Sequence, residues 1–163
     1  MRNLKALLVE CVTPQSKPRM NEVSDIAKTA GYEVVGQVTQ HRDAVDPAYC
    51  VGEGKLDEIG RTVRKASLEV VVFTRQLSAG QIFRIGKKLG DEVRVLDRNL
   101  LILEVFEKRS ATTEAKLQIE FSRLRYTFSW ARESVRMRGI VSEQMGRGGP
   151  GRYKSTSRCR ASE

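Results

Sequence analysis

Short runs rich in β-branched residues alternate with stretches of helical apolar spacing over roughly the first hundred positions. Leu4–Glu10 (LKALLVE) reads as a strand. Met20–Ala30 sets Met20, Val23, Ile26, Ala27 and Ala30 on one helical face, and Gly31 stops it. Glu33–Thr39 (EVVGQVT) is a second strand. Leu56–Lys65 carries Leu56, Ile59 and Val63 at helical spacing, and Glu69–Thr74 (EVVVFT) is the clearest buried strand. Ser78 caps a helix holding Ile82, Phe83, Ile85 and Leu89, closed by Gly90. Val93–Asp97 (VRVLD) is another strand, and Leu100–Phe106 opens a helix with no alternation.

Strand and helix in this rhythm imply right-handed crossovers. The fold class expected is α/β: a small parallel sheet of about four strands with helices on both faces, followed by a long coiled-coil-like helix. That helix is announced by Lys116–Arg138, where Leu117, Phe121, Leu124, Phe128, Ala131 and Val135 recur at spacings of four, three, four, three and four. One helix cannot bury such a seam alone. The body of the protein, a second copy or a continuation of the chain must cover it. No strand signal follows Asn99, so three parts are expected: an α/β subdomain over 1–98, a helical subdomain over 99–139, and a glycine- and arginine-rich basic tail over 140–163, expected to be disordered.

Charge sharpens this division. The chain's net charge of +9 is uneven: residues 1–107 hold 16 Lys+Arg against 15 Asp+Glu, whereas residues 108–163 hold 13 against 5. Clustered cations displace counterions from nucleic acid, although a solvated helix face would carry the same charge. On the long helix, Lys116, Arg123, Arg125, Arg132, Arg136 and Arg138 lie off the seam or at its edges, interleaved with Tyr126 and Trp130. Aromatics among arginines suit RNA, whose bases stack on rings while guanidinium groups take phosphates. They also suit helix packing.

At 163 residues the chain is long enough for one domain with a real core. No apolar run reaches the ~18–20 residues of a membrane helix. The N-terminus reads as a strand instead of a leader, and Cys11, Cys50 and Cys159 form neither a CxxC pair nor a zinc pattern. A reducing, cytoplasmic location is expected.

Candidate chemistry is sparse. Gly148–Ser155 approaches a phosphate-binding loop, but Tyr153 stands where that loop needs glycine. Gly52, Gly54 and Lys55, ahead of a helix, offer donors to a nucleotide or other anion. A simple turn is the plainer reading, with Glu53 repelling phosphate. His41, the only histidine, reads as a loop residue, and Asp97 as a helix cap. No catalytic residue and no metal site emerge.

Several runs together carry a family likeness: YCVGEGKLDEI (Tyr49–Ile59), VVVF with QLSAGQ (Val70–Gln81), VRVLDRNLLILEVFEKRSAT (Val93–Thr112), EAKLQIEFSRLRY (Glu114–Tyr126) and GRGGPG (Gly146–Gly151). In this order they resemble the N-terminal region of HflX-type ribosome-associated GTPases, over essentially residues 1–155. The resemblance implies an α/β subdomain, then two long antiparallel helices joined by the glycine-rich loop, before a GTP-binding domain that this sequence lacks. It implies binding of the large ribosomal subunit and its RNA, through the basic helix residues and through Arg147, Gly148, Gly149, Pro150, Gly151 and Arg152. Arg152 departs from the family, where an acidic residue commonly follows the GPG. GTP and Mg would belong to the full-length family, whose members hydrolyse GTP, and not to this chain; ATP is a further candidate, at Gly52–Lys55. Two rival readings stand beside this one: a module that homodimerises through the seam, and a small ATP-binding α/β domain.

Overall fold

The computed structural model describes residues 3–146, with the side chains of 133, 134 and 137–146 left out. Arg147, Gly148, Gly149, Pro150, Gly151, Arg152 and the remainder of the expected tail from 147 onward lie outside the described residues, as does the side chain of Arg138.

Four parallel strands form one sheet in the order β2-β1-β3-β4. β1 (Lys5–Val12) and β3 (Val70–Phe73) lie in the middle, and their sequences, KALLVECV and VVVF, are nearly continuous apolar runs because both sides of a central parallel strand are covered. Leu7, Val71 and Val95 align across three strands, as do Leu8, Val72 and Leu96. β2 (Glu33–His41) is an edge, and its burial alternates residue by residue. The β1–β2 register slips between Ala6 and Leu7, so Val35 is an extra residue on the edge strand and stands 43% exposed. Such a bulge disturbs the open edge as a template for stray pairing.

Helices cover both faces. α2 (Glu53–Lys65) and α3 (Ala79–Leu89) put Leu56, Ile59, Val63, Ile82 and Ile85 against Leu7, Val9 and Val71. α1 (Met20–Thr29) and α4 (Arg98–Arg109) put Met20, Val23, Ala27, Leu100 and Leu101 against Ala6, Leu8 and Val72. Alternate residues of β1 thus feed two separate cores. α3 starts at Ser78, whose hydroxyl accepts from the Gln81 N–H while the Gln81 side chain returns to the Ser78 N–H, a reciprocal cap visible in the SAGQ sequence.

Two helices bear on the expected three-part division. α4 is a layer of the α/β body, because Leu100 and Leu101 are buried on the sheet and Lys108 Nζ donates to the Ala30 carbonyl at the end of α1. Its lack of alternation reflects contact with the sheet on one side and the next helix on another. That helix, α5, runs from Thr113 to Gly146, seven residues into the stretch read as tail. Thr112 opens it, its hydroxyl accepting from the Ala115 N–H at 3.2 Å. Gly139 is the sole glycine between Thr113 and Gly146, and Glu143, Gln144 and Met145 beyond it are good helix formers, which explains the extension.

Candidate functional site

α5 is fastened to the body by polar contacts centred on Asp97. Asp97, the last residue of β4 (Arg94–Asp97), is fully buried. Its Oδ1 accepts from the Leu100 N–H at 2.9 Å, the cap expected from the sequence, while Oδ2 accepts from the Leu77 N–H at 3.0 Å and from the Tyr126 hydroxyl. One carboxylate therefore ends a strand, starts α4, fixes the loop before α3 and holds α5. Burial, and then the hydrogen bond to the Asp97 carboxylate, raise the Tyr126 phenol well above its ordinary pKa. The side chains of Asn99 and Gln76 also act on that hydroxyl. Trp130, one turn further, meets Tyr126 edge-on at 5.3 Å and touches both cores. Arg123 pairs with Glu107 of α4.

Tyr126 and Trp130, read in the sequence as partners for RNA bases, are thus committed to the body. The reason is a second stripe, Ala115, Ile119, Tyr126 and Trp130, which faces inward. The seam faces out. Leu117, Phe121, Leu124, Phe128 and Val135 are 56–71% exposed, and Ala131 is exposed as well. Lys116, Arg125, Arg132 and Arg136 are exposed on the same helix, and the Arg125 guanidinium lies 5.7 Å from the centre of the Phe121 ring. Past Trp130 the helix continues for about 24 Å at ~1.5 Å per residue.

The Gly52–Lys55 stretch is the cap and first turn of α2. Gly52 is the N-cap of α2, and its N–H donates to Gln40 Oε1 at 2.8 Å. The charges turn elsewhere: Lys55 Nζ pairs with Glu58 at 2.9 Å, and Glu53 pairs with Lys88. A side chain at Gly52 would meet Arg42 Nη1 at 2.7 Å, the mobile end of a long side chain that can give way, and Gly54 has open space. His41 ends β2 and is exposed.

A different place collects polar groups. β2 lies on one side of β1 and β3 on the other, so the segments leaving β1 and β3 diverge and open a crevice at the carboxyl ends of the strands. Its cavity of about 530 Å³ is lined by Glu10, Lys17, Arg19, Thr74, Arg75 and Gln76 among others. Glu10 is buried, its Oε1 accepting from the Arg19 N–H at 2.5 Å and from the Thr74 hydroxyl at 3.4 Å. Nothing in the sequence marks these residues, because strand order decides where a switch point falls. Buried beside the crevice, Cys11 has its thiol held above the ordinary value, and that of Cys50 is pushed up to about 12 by desolvation. Among the described residues no three His, Cys, Asp or Glu side chains are grouped to hold a metal ion, and no helix is long and apolar enough to cross a membrane.

Fold and site define a parallel α/β domain, wound on both faces, that carries a long helical arm. The GTP-binding GTPase N-terminal family matches residues 17–107, and the chain belongs to that family. It is 35% identical over 134 residues to GTPase HflX of Thermococcus kodakarensis, covering 82% of this chain and 29% of that protein. Against GTPase HflX of Escherichia coli the identity is 37% over 124 residues, covering 75% and 29%. The chain therefore spans less than a third of these relatives' length. A mutation variant of SsGBP superposes with a TM-score of 0.69 at 25% identity, covering 80% of this chain and 42% of the other. A GTP-binding protein from Sulfolobus solfataricus in complex with GDP does so with a TM-score of 0.65 at 22% identity, covering 88% and 42%.

Proposed function

We propose that this chain is the ribosome-contacting N-terminal portion of an HflX-like GTP-binding protein, with GTP and Mg bound and GTP hydrolysed by a remainder that lies outside it. α5 carries Lys116, Arg125, Arg132 and Arg136 toward ribosomal RNA of the large subunit, and Arg147 and Arg152 add cations further along the sequence. The observation that supports this most is the pairing, on one helix projecting past the body, of an exposed apolar ridge with exposed cations. In this reading a second helix of the longer protein covers Phe121 and Phe128, and the arginines stay outside for phosphate.

Filter binding to large ribosomal subunits at several salt concentrations tests the reading. Binding should weaken with salt, and each of Arg125→Ala and Arg132→Ala should lower the slope of log K against log salt by roughly 0.7–0.9. Salt-independent binding, or no change in either variant, overturns it. Sedimentation supplies the second arm: a chain that dimerises, and loses the dimer in Phe121→Ser, assigns the ridge to self-pairing instead.

A further inference from the structure

The crevice between β1 and β3 holds two charges that the protein leaves unmatched. Arg75 lines the crevice, is half-buried and forms no ion pair among the described residues. A guanidinium is costly to desolvate in that way unless something else completes it. Glu10, also on the crevice wall, is 4% exposed and receives only an amide N–H and the Thr74 hydroxyl, with no cation paired to it among the described residues. Lys17 stands exposed at the rim, so the entrance is positive. At about 530 Å³ the cavity is of small-molecule size, well beyond a single ion.

We propose that this crevice binds a small hydroxylated phosphate monoester. Arg75 and Lys17 take the phosphate oxygens, and the Glu10 carboxylate accepts from a hydroxyl of the ester. The guanidinium suits a phosphate because its fork meets two oxygens at once, whereas the carboxylate would repel a bare anion and favours a ligand that brings a donor. The site is separate from the exposed face of α5 and does not depend on RNA binding.

Calorimetric titration of the whole chain with inorganic phosphate and with glycerol phosphate tests the proposal. Glycerol phosphate should bind the more tightly. Arg75→Gln should weaken it at least about tenfold, the loss expected of a charge-assisted hydrogen bond, and Glu10→Gln should change the preference between the two ligands. Lys17→Ala, an exposed change that leaves the core intact, should weaken both about threefold, which keeps the test decisive if a crevice-wall variant fails to fold. No heat from glycerol phosphate up to about 10 mM, a concentration that would reveal even millimolar affinity, overturns the proposal. So does equal affinity for both ligands in the unaltered chain, or unchanged affinity in both Arg75→Gln and Lys17→Ala.

Discussion

Leu101 and Phe121 are large apolar residues on neighbouring helices and meet opposite fates. Leu101 is fully buried against the sheet, whereas Phe121 is 61% exposed. α4 follows a strand and lies over the face that β1, β3 and β4 present, so its leucines have somewhere to go. α5 follows a helix and reaches the body with only one stripe, Ala115 to Trp130, which leaves the other uncovered. The difference teaches that helical periodicity identifies an apolar face without identifying its cover. Topology supplies the cover.

The sharpest way to break this contrast is to truncate both residues. Leu101→Ala should cost about 3–4 kcal/mol in urea unfolding, while Phe121→Ala should stay within ~0.5 kcal/mol. A large cost for Phe121→Ala would mean the ridge is covered in solution and the contrast is false. Next in size is the junction between the two regions. Asp97→Ala strands the buried Leu77 N–H and the Tyr126 hydroxyl and removes the α4 cap, for a loss of about 3 kcal/mol by urea unfolding.

Tyr126→Phe removes one bond to that carboxylate and should cost about 1.5 kcal/mol. Trp130 is the only tryptophan and packs on Tyr126, so its emission reports the docking of α5. Alkali should undo that docking. The folded phenol titrates above its ordinary value of 10.0, so the stability it confers is complete below pH 10.0 and is lost as pH rises through the raised value. The Trp130 emission should shift over that range in the unaltered chain and not in Tyr126→Phe, while Tyr32, also raised, contributes equally to both. The smallest effect belongs inside the body. Arg98 holds Glu22 below its ordinary 4.5, so their pair stabilises above that value and its contribution is lost as pH falls through the lowered one. Being exposed, it should be worth a few tenths of a kcal/mol, seen as a smaller acid loss in the urea midpoint of Glu22→Gln.

Much of the body was legible in the chain. VVVF and LKALLVE read as strands because a covered parallel strand needs apolar residues on both sides, and Ser78 announced its helix as a cap. Asp97 was legible as a cap but not as the anchor of α5, since Leu77 and Tyr126 lie 20 and 29 residues away. α2 begins at Glu53, ahead of its first apolar position, because Gly52 can cap where periodicity is silent. The packing of α4 on the sheet was not legible, because LLILEVF shows no preferred side. The crevice was out of reach, since Glu10 and Arg75 become neighbours only once β3 is known to sit beside β1.

The Tyr126 phenol, bound to Asp97, lies near the base of the long helix. Twenty residues of helix extend from it to Gly146, a lever of about 30 Å at ~1.5 Å per residue. A tilt of roughly ten degrees at Asp97 would sweep the far end by about 5 Å, so ångström-scale rearrangements at the base become displacements large enough to seat or unseat whatever the tip touches.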